Sequence, residues 1–295
     1  MGWRSVFIAN PARLSTGGGR LQVEQEGEAA SVPLEDLGAL VLESPQVSLT
    51  VPLLRELAEN RVPLFVCDRR HLPCGVLLPF HAHCRQEKVL RAQMGLSRPF
   101  AKNCWQRVVR RKILNQAACL RFLDLPGAEE LHALASQVRS GDPDQREGVA
   151  ARLYFSRLMP GRTRDDPTSR NAALDYGYSV LRGALARSLA AHGFLPALGI
   201  QHHNELNPFN LADDLLEPFR PQVDLWVFRN VSDDDPFSPE HRASLVGLLH
   251  RRMEIQGERH TILRGTELCA EGFAAACREK NPDLLALPAL ISPDG

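Results

Sequence analysis

The sequence predicts an α+β fold, a small N-terminal β-rich domain (residues 1–84) followed by a larger all-α domain (85–295). Three observations carry that expectation. The first 80 or so residues hold short apolar or alternating runs, the mark of strands. From about His81 onward, apolar residues recur at helical spacing instead. The charge changes at the same place. Residues 1–84 carry 7 Lys/Arg and 9 Asp/Glu, residues 85–170 carry 17 and 9, and residues 171–295 carry 11 and 17. A net charge of zero therefore hides a middle segment at +8 beside a C-terminal one at −6. Such a split fits a polyanion held on one face and carboxylates at work on another; a solvated basic helix face is the plainer alternative.

Strands are expected at Arg4–Ala9, Arg20–Glu24, Leu37–Leu42, Val62–Cys67 and Gly75–Leu78. Gly17-Gly18-Gly19 makes a turn between the first of them. No Gly-Lys-Ser/Thr follows that trio, so it is not a phosphate loop. Ser48–Asn60 has helical apolar spacing and interrupts the strands. Helices are then expected at Gln86–Leu96, Phe100–Leu125, Gly127–Ser140, Asp144–Met159, Thr168–Gly193, Phe209–Phe219, Ser238–Arg252 and Arg264–Lys280. Gly177 and Gly183 each cost about 1 kcal/mol against Ala inside a helix, which close helix packing would explain. Pro, Asp and Ser make loops of 160–168 and 232–239. The Pro-rich tail, 282–295, fits either a packed arm or a flexible end.

With 44% hydrophobic and 24% charged residues, the chain can bury a real core. No run approaches the roughly 18 apolar residues of a membrane span, and the N-terminus lacks a secretory h-region. Seven cysteines, an odd number with no Cys-x-x-Cys, fit reduced thiols and a cytoplasmic location.

Four clusters are candidates for chemistry. Cys67, His71, Cys74, His81, His83 and Cys84 crowd into 18 residues, but their gaps lack the paired spacing of zinc ligands. Buried thiols and boundary-loop histidines are the preferred reading. In RVVRRK, Arg107, Arg110 and Arg111 fall at i, i+3 and i+4 and share a helix face suited to phosphates. Glu147 lies in the first turn of a helix that Asp142 or Asp144 can cap. Its neighbours are small and aromatic, so that helix is buried and the Glu needs a partner. The fourth is LGIQHHNELNPFNLADDLLEPFRP (198–221). There His202 and His203 end a loop, and a helix carries Asp213, Asp214 and Glu217. Asp214 and Glu217 share a face, while Asp213 and Glu217 at i, i+4 would repel without a cation nearby. One imidazole with two or three carboxylates is a hard-cation set, suited to Mg²⁺ or Mn²⁺.

Three stretches together, REGVAARLYF (146–155), RNAALDYGYSVLRGALARSLAAHGF (170–194) and GIQHHNELNPFNLADDLLEPFRPQVD (199–224), resemble the CRISPR-associated adaptation integrase family. This is the first-numbered universal Cas protein, and the likeness is to its type II branch. The resemblance implies that Glu147, His202 and Glu217 hold the catalytic divalent metal, Mg²⁺ or Mn²⁺. His202 stands three residues after Gly199 in a G-x-x-H pattern, while His203 falls at a variable position. Asp214 would be auxiliary near the metal. Arg107, Arg110, Arg111 and Arg220 are the candidate DNA contacts. The resemblance further implies a cytoplasmic prokaryotic endonuclease and integrase that inserts short duplex DNA into a CRISPR array by 3′-hydroxyl attack on a phosphodiester. It implies a homodimer joined through the β-rich part, with two dimers on one dimer of the small second-numbered Cas protein. The alternatives are a stand-alone metal-dependent nuclease on branched DNA and a DNA-binding scaffold without catalysis.

Overall fold

The structure, a computed structural model, describes residues 4–69, 73–77 and 86–292. His71, His81, His83, Cys84, Arg85 and the expected junction at 84/85 lie outside the described residues. Among the described residues eight strands come first: β1 Arg4–Ile8, β2 Ala12–Gly17, β3 Arg20–Gln25, β4 Glu28–Pro33, β5 Leu37–Leu42, β6 Val47–Leu49, β7 Leu64–Cys67 and β8 Pro73–Leu77. Helix α1, Val51–Glu59, separates β6 from β7. Two sheets result, ordered β1-β5-β7-β8 and β4-β3-β2-β6. In the first, β1, β5 and β7 run parallel and β8 antiparallel.

The uninterrupted apolar run of β5 (LGALVL) reflects its central place. Leu40 and Leu42 face a core shared with α1 and the second sheet, including Leu14, Leu21, Leu53 and Leu57. Ala39 and Val41 face the other way and, with Phe65 of β7, enter the core of the helices. A strand covered on both faces loses the polar alternation of a half-exposed one.

The helices are α2 Gln86–Met94, α3 Arg98–Phe122, α4 Ala128–Ser136, α5 Arg146–Leu158, α6 Ser169–Ala191, α7 Asn210–Leu216, α8 Arg220–Asn230, α9 Pro239–Gly247 and α10 Ile262–Glu279. Among the described residues none is long and apolar enough to cross a membrane. Helices α3 and α6 are the spine, buried on most sides. The two costly glycines of α6 are explained by what touches them. A Cβ at Gly177 would meet Val223 of α8, and one at Gly183 would overlap the ring of Phe65. Gly183 thus lets the first sheet lie directly against the helical core.

Several elements differ from expectation. Strands β2, β4 and β6 have weak signals: β4 is an exposed edge with little to bury, and β6 is three residues long. Because Ser48 and Leu49 pair with β2, the first helix starts at Val51, with Pro52 in its first turn. The stretch 209–219 is a short helix and then a 3₁₀ turn, Glu217–Phe219, before α8. The helical part is also not wholly helical. Strands β9 Arg252–Ile255 and β10 Glu258–Thr261 form a hairpin, turned by Gln256 and Gly257, both at positive φ. The tail packs as an arm up to the last described residue: Ala289 pairs with Glu254, and Leu285, Ala286 and Leu290 are buried.

Candidate active site

Helix α5 opens at Gln145, in a left-handed conformation with no side-chain cap of its own. Asp142 caps it instead, accepting from the backbone N–H of Arg146 at 2.9 Å and of Glu147 at 3.0 Å. Asp144, the other capping candidate, pairs with Arg139 at 2.7 Å. Glu147 then reaches α3, where the Lys112 ammonium donates to its Oε1. The same ammonium lies against Oε2 of Glu217. Two carboxylates from separate elements thus converge on one buried cation.

Lys112 was within reach of the sequence. It falls on the apolar stripe of α3, four residues after Val108 and four before Gln116, all buried. A lysine on a core stripe must find carboxylates or neutralise. Burial disfavours its charge, but Glu217 and Glu147 outweigh that and raise its pKa.

Glu217 is buried at the start of the 3₁₀ turn. Arg220 donates to its Oε1 at 2.8 Å, one 3₁₀ turn on. Burial alone would raise the Glu217 pKa; Arg220 and Lys112 overcome it and hold the carboxyl down at about 2. Arg220 in turn stacks over the Tyr178 ring at 4.5 Å. Asn115 fixes the turn from below, its Nδ2 donating to the carbonyl of Pro218 at 2.7 Å.

His202 is placed by Asp214, which is fully buried. That carboxylate accepts from the N–H groups of Ile200 (2.7 Å), Gln201 (3.0 Å) and His202 (3.1 Å), and its Oδ1 lies 2.6 Å from the His202 Nδ1. Gly199 makes the approach possible, because a Cβ there would sit 2.8 Å from Asp214 Oδ2. The Trp105 ring meets the imidazole edge-on at 5.8 Å. The hydrogen bond to Asp214 is the main cause that raises the His202 pKa, with Glu217 and Asp213 adding to it. The imidazole is therefore within electrostatic reach of Glu217, and with Nδ1 on Asp214 its Nε2 is left for other work. His203 instead lines a broad groove between the 197–210 loop and α2–α3.

Asp213, expected to repel Glu217, is neutralised separately. Arg182 pairs with it at 2.9 Å and Asn207 donates to it at 2.7 Å. Beside Glu217 lies a cavity of about 160 Å³, lined among others by Gln116, Tyr178, Arg164 and Asp224. Asp224 is buried and accepts from Tyr154 Oη at 2.8 Å and from Tyr178 Oη. Burial pushes its pKa up to about 6, against the pull of those hydroxyls. This trio was not anticipated; its three members are spread over α5, α6 and α8.

The four candidate DNA arginines separate. Arg107 pairs with Asp283 of the tail. Arg111 is half-buried, its charge disfavoured by burial and supported by Glu254. Arg220 serves Glu217. Arg110 is exposed. Of the Cys/His group, Cys67 is half-buried and Cys74 exposed.

Among the described residues, no three His, Cys, Asp or Glu side chains stand close enough together to ligate one ion. Glu147 and Glu217 meet through the Lys112 ammonium, and His202 is held on Asp214, near enough to Glu217 for that carboxylate to favour its charge. The chemistry of the donor set nonetheless fits a hard divalent cation. Two carboxylates already share one positive charge, and the imidazole that Asp214 orients would add a nitrogen ligand.

The family model for "CRISPR associated protein Cas1" matches residues 6–238. A "CRISPR-associated endonuclease Cas1" from Neisseria meningitidis serogroup C (strain 8013) is 42% identical, over 99% of this chain and 97% of that one. A casposase bound to integration product superposes with a TM-score of 0.75 at 19% identity, over 94% of this chain and 91% of the other. A Cas6-RT-Cas1–Cas2 complex gives a TM-score of 0.74 at 22% identity. The match there covers 98% of this chain but 36% of that longer one. At those identities the two structures speak to the fold: a β-rich N-terminal part followed by helices.

Proposed function

The chain belongs to the Cas1 family of CRISPR-associated proteins, and on that premise we propose that it is a metal-dependent DNA integrase and endonuclease of spacer acquisition, of the type II branch. The observation that carries the reading is the convergence of Glu147 and Glu217 on one buried cation, with His202 oriented separately by Asp214.

Glu147, Glu217 and His202 would hold Mg²⁺ or Mn²⁺, which when bound supplies positive charge to a phosphate under attack by a 3′-hydroxyl. The protein's own residues prepare the ground. Asp142 fixes the first turn of α5 and so the position of Glu147. Arg220 and Lys112 keep Glu217 ionised at any physiological pH. Asp214 turns the imidazole and fixes its tautomer, leaving Nε2 as the donor. Water in place of the 3′-hydroxyl gives hydrolysis, so weak nuclease activity and reversal of joining belong to the same site.

A half-site assay, joining a short duplex to a supercoiled plasmid, tests this. Joining should need added Mn²⁺ or Mg²⁺, stop with EDTA and be lost in Glu147→Ala. Full turnover in chelator would refute the metal mechanism. Steady cleavage of branched DNA with no joining would replace integration by a repair-type nuclease.

Duplex DNA of many sequences is the substrate class, held through its phosphates by the basic middle segment. Of the four arginines, Arg110 is the one we assign to phosphate; Arg107, Arg111 and Arg220 have carboxylates to serve. Arg110→Glu should weaken duplex binding and make the slope of log K against log salt shallower by about one. An unchanged slope would remove Arg110 from the DNA face. For partners we propose a homodimer formed through the β-rich part, with two dimers on a dimer of the second-numbered Cas protein. A Cas6-RT-Cas1–Cas2 complex among similar folds supports the second-numbered Cas protein as the partner.

A further inference from the structure

The cation between Glu147 and Glu217 belongs to the protein itself, and this has a cost for anything that binds there. The Lys112 side chain is about nine-tenths buried, and it touches both carboxylates. A divalent ion using the same oxygens cannot simply add to the site, because the ammonium stands between them. One turn further along α3, Gln116 is buried, and its Oε1 has no hydrogen-bond partner. A buried acceptor without a donor is unfavourable, and its persistence needs a reason. Gln116 and Lys112 line the same cavity, with the Asp224 carboxylate also on its wall.

We propose that Lys112 is a resident counter-cation that competes with the divalent ion for Glu147 and Glu217, and that Gln116 Oε1 and Asp224 form the second seat its ammonium takes when displaced. The inference rests on the metal site described above. In the first seat the ammonium keeps two converging carboxylates from repelling each other in the metal-free protein. In the second it meets an acceptor that otherwise has none, and its charge stays within the site. The lysine thereby sets how readily the ion enters, in addition to holding the carboxylates in place.

The test is Mn²⁺ binding to the full chain, read by titration calorimetry and by the spectrum of free Mn²⁺. Lys112→Met should bind Mn²⁺ about tenfold more tightly than wild type, about 1.4 kcal/mol. Its metal-free form should melt earlier than wild type, with Mn²⁺ restoring much of the loss. Gln116→Leu, which keeps Lys112 but removes the second seat, should bind Mn²⁺ several-fold more weakly. Unchanged or weaker binding in Lys112→Met would overturn the competition and make Lys112 a simple positioning residue. Glu147→Gln separates that failure from failure of the site itself. If Mn²⁺ binds this variant as well as it binds wild type, the ion sits elsewhere and both ideas fall. Should Lys112→Met not fold, a crystal structure of the wild type with Mn²⁺ decides. Lys112 Nζ at Gln116 Oε1 supports the second seat, and an ammonium still bridging the carboxylates overturns it.

Discussion

His202→Ala should cut strand joining by about 10³-fold, whereas His203→Ala should stay within about twofold of wild type. The adjacent histidines are both exposed but have different attachments. His202 is tied to a fully buried carboxylate that also gathers three backbone N–H groups of its own loop. Removing the imidazole leaves those three bonds in place, so the loop should hold and the melting temperature should barely move. Loss of activity with retained stability would mark the effect as chemical. His203 faces the neighbouring groove and has no part in the carboxylate constellation. Equal losses in both variants would overturn the assignment between them.

The second large effect is on stability. Asn115 makes three buried hydrogen bonds: to the carbonyls of Pro218 (2.7 Å) and Pro288 (2.9 Å), and from the N–H of Leu290 (3.1 Å). One side chain therefore fastens the turn that begins with Glu217, and the C-terminal arm, to α3. Asn115→Ala strands three main-chain groups away from water. At roughly 1–3 kcal/mol for each group left unpaired, partly relieved by relaxation, the expected loss is about 4 kcal/mol. That corresponds to a fall in melting temperature on the order of 10 °C. Joining activity should fall as well, because Pro218 directly follows Glu217. A variant melting within a degree or two of wild type would show that the clamp carries little.

The division into strands and then helices was legible because each half keeps one hydrophobic period for most of its length. Strands failed to register where they bury little, as in β4, or where three residues suffice, as in β6. The β9–β10 hairpin was missed although Gln256-Gly257 is a two-residue turn between Met253 and Ile255 on one side and β10 on the other. The helical pattern on both sides outweighed it. The carboxylates and the histidine could be named from local spacing and from resemblance, because each lies in a distinctive stretch. Their partners could not. Lys112 looked like one more member of a basic run, and only its place on the buried stripe of α3 set it apart. Asp224 is separated from Tyr178 by 46 residues and from Tyr154 by 70, so that network exists only after folding. For Arg107, Arg111 and Arg220, a helix face alone gave no sign of Asp283, Glu254 or Glu217.

Gly183 has an effect well beyond α6. By admitting the Phe65 ring, it lets one sheet belong to two cores at once. Arg187 adds a bond from α6 to the carbonyl of Arg61 at 2.8 Å, Ser5 meets His250 at 2.7 Å, and Arg242 pairs with Glu43. The strands and helices are therefore poor candidates for independent melting. Heating should dismantle them in one calorimetric step, and a fragment carrying the strands alone would expose Ala39, Val41 and Phe65 as a sticky, half-finished surface.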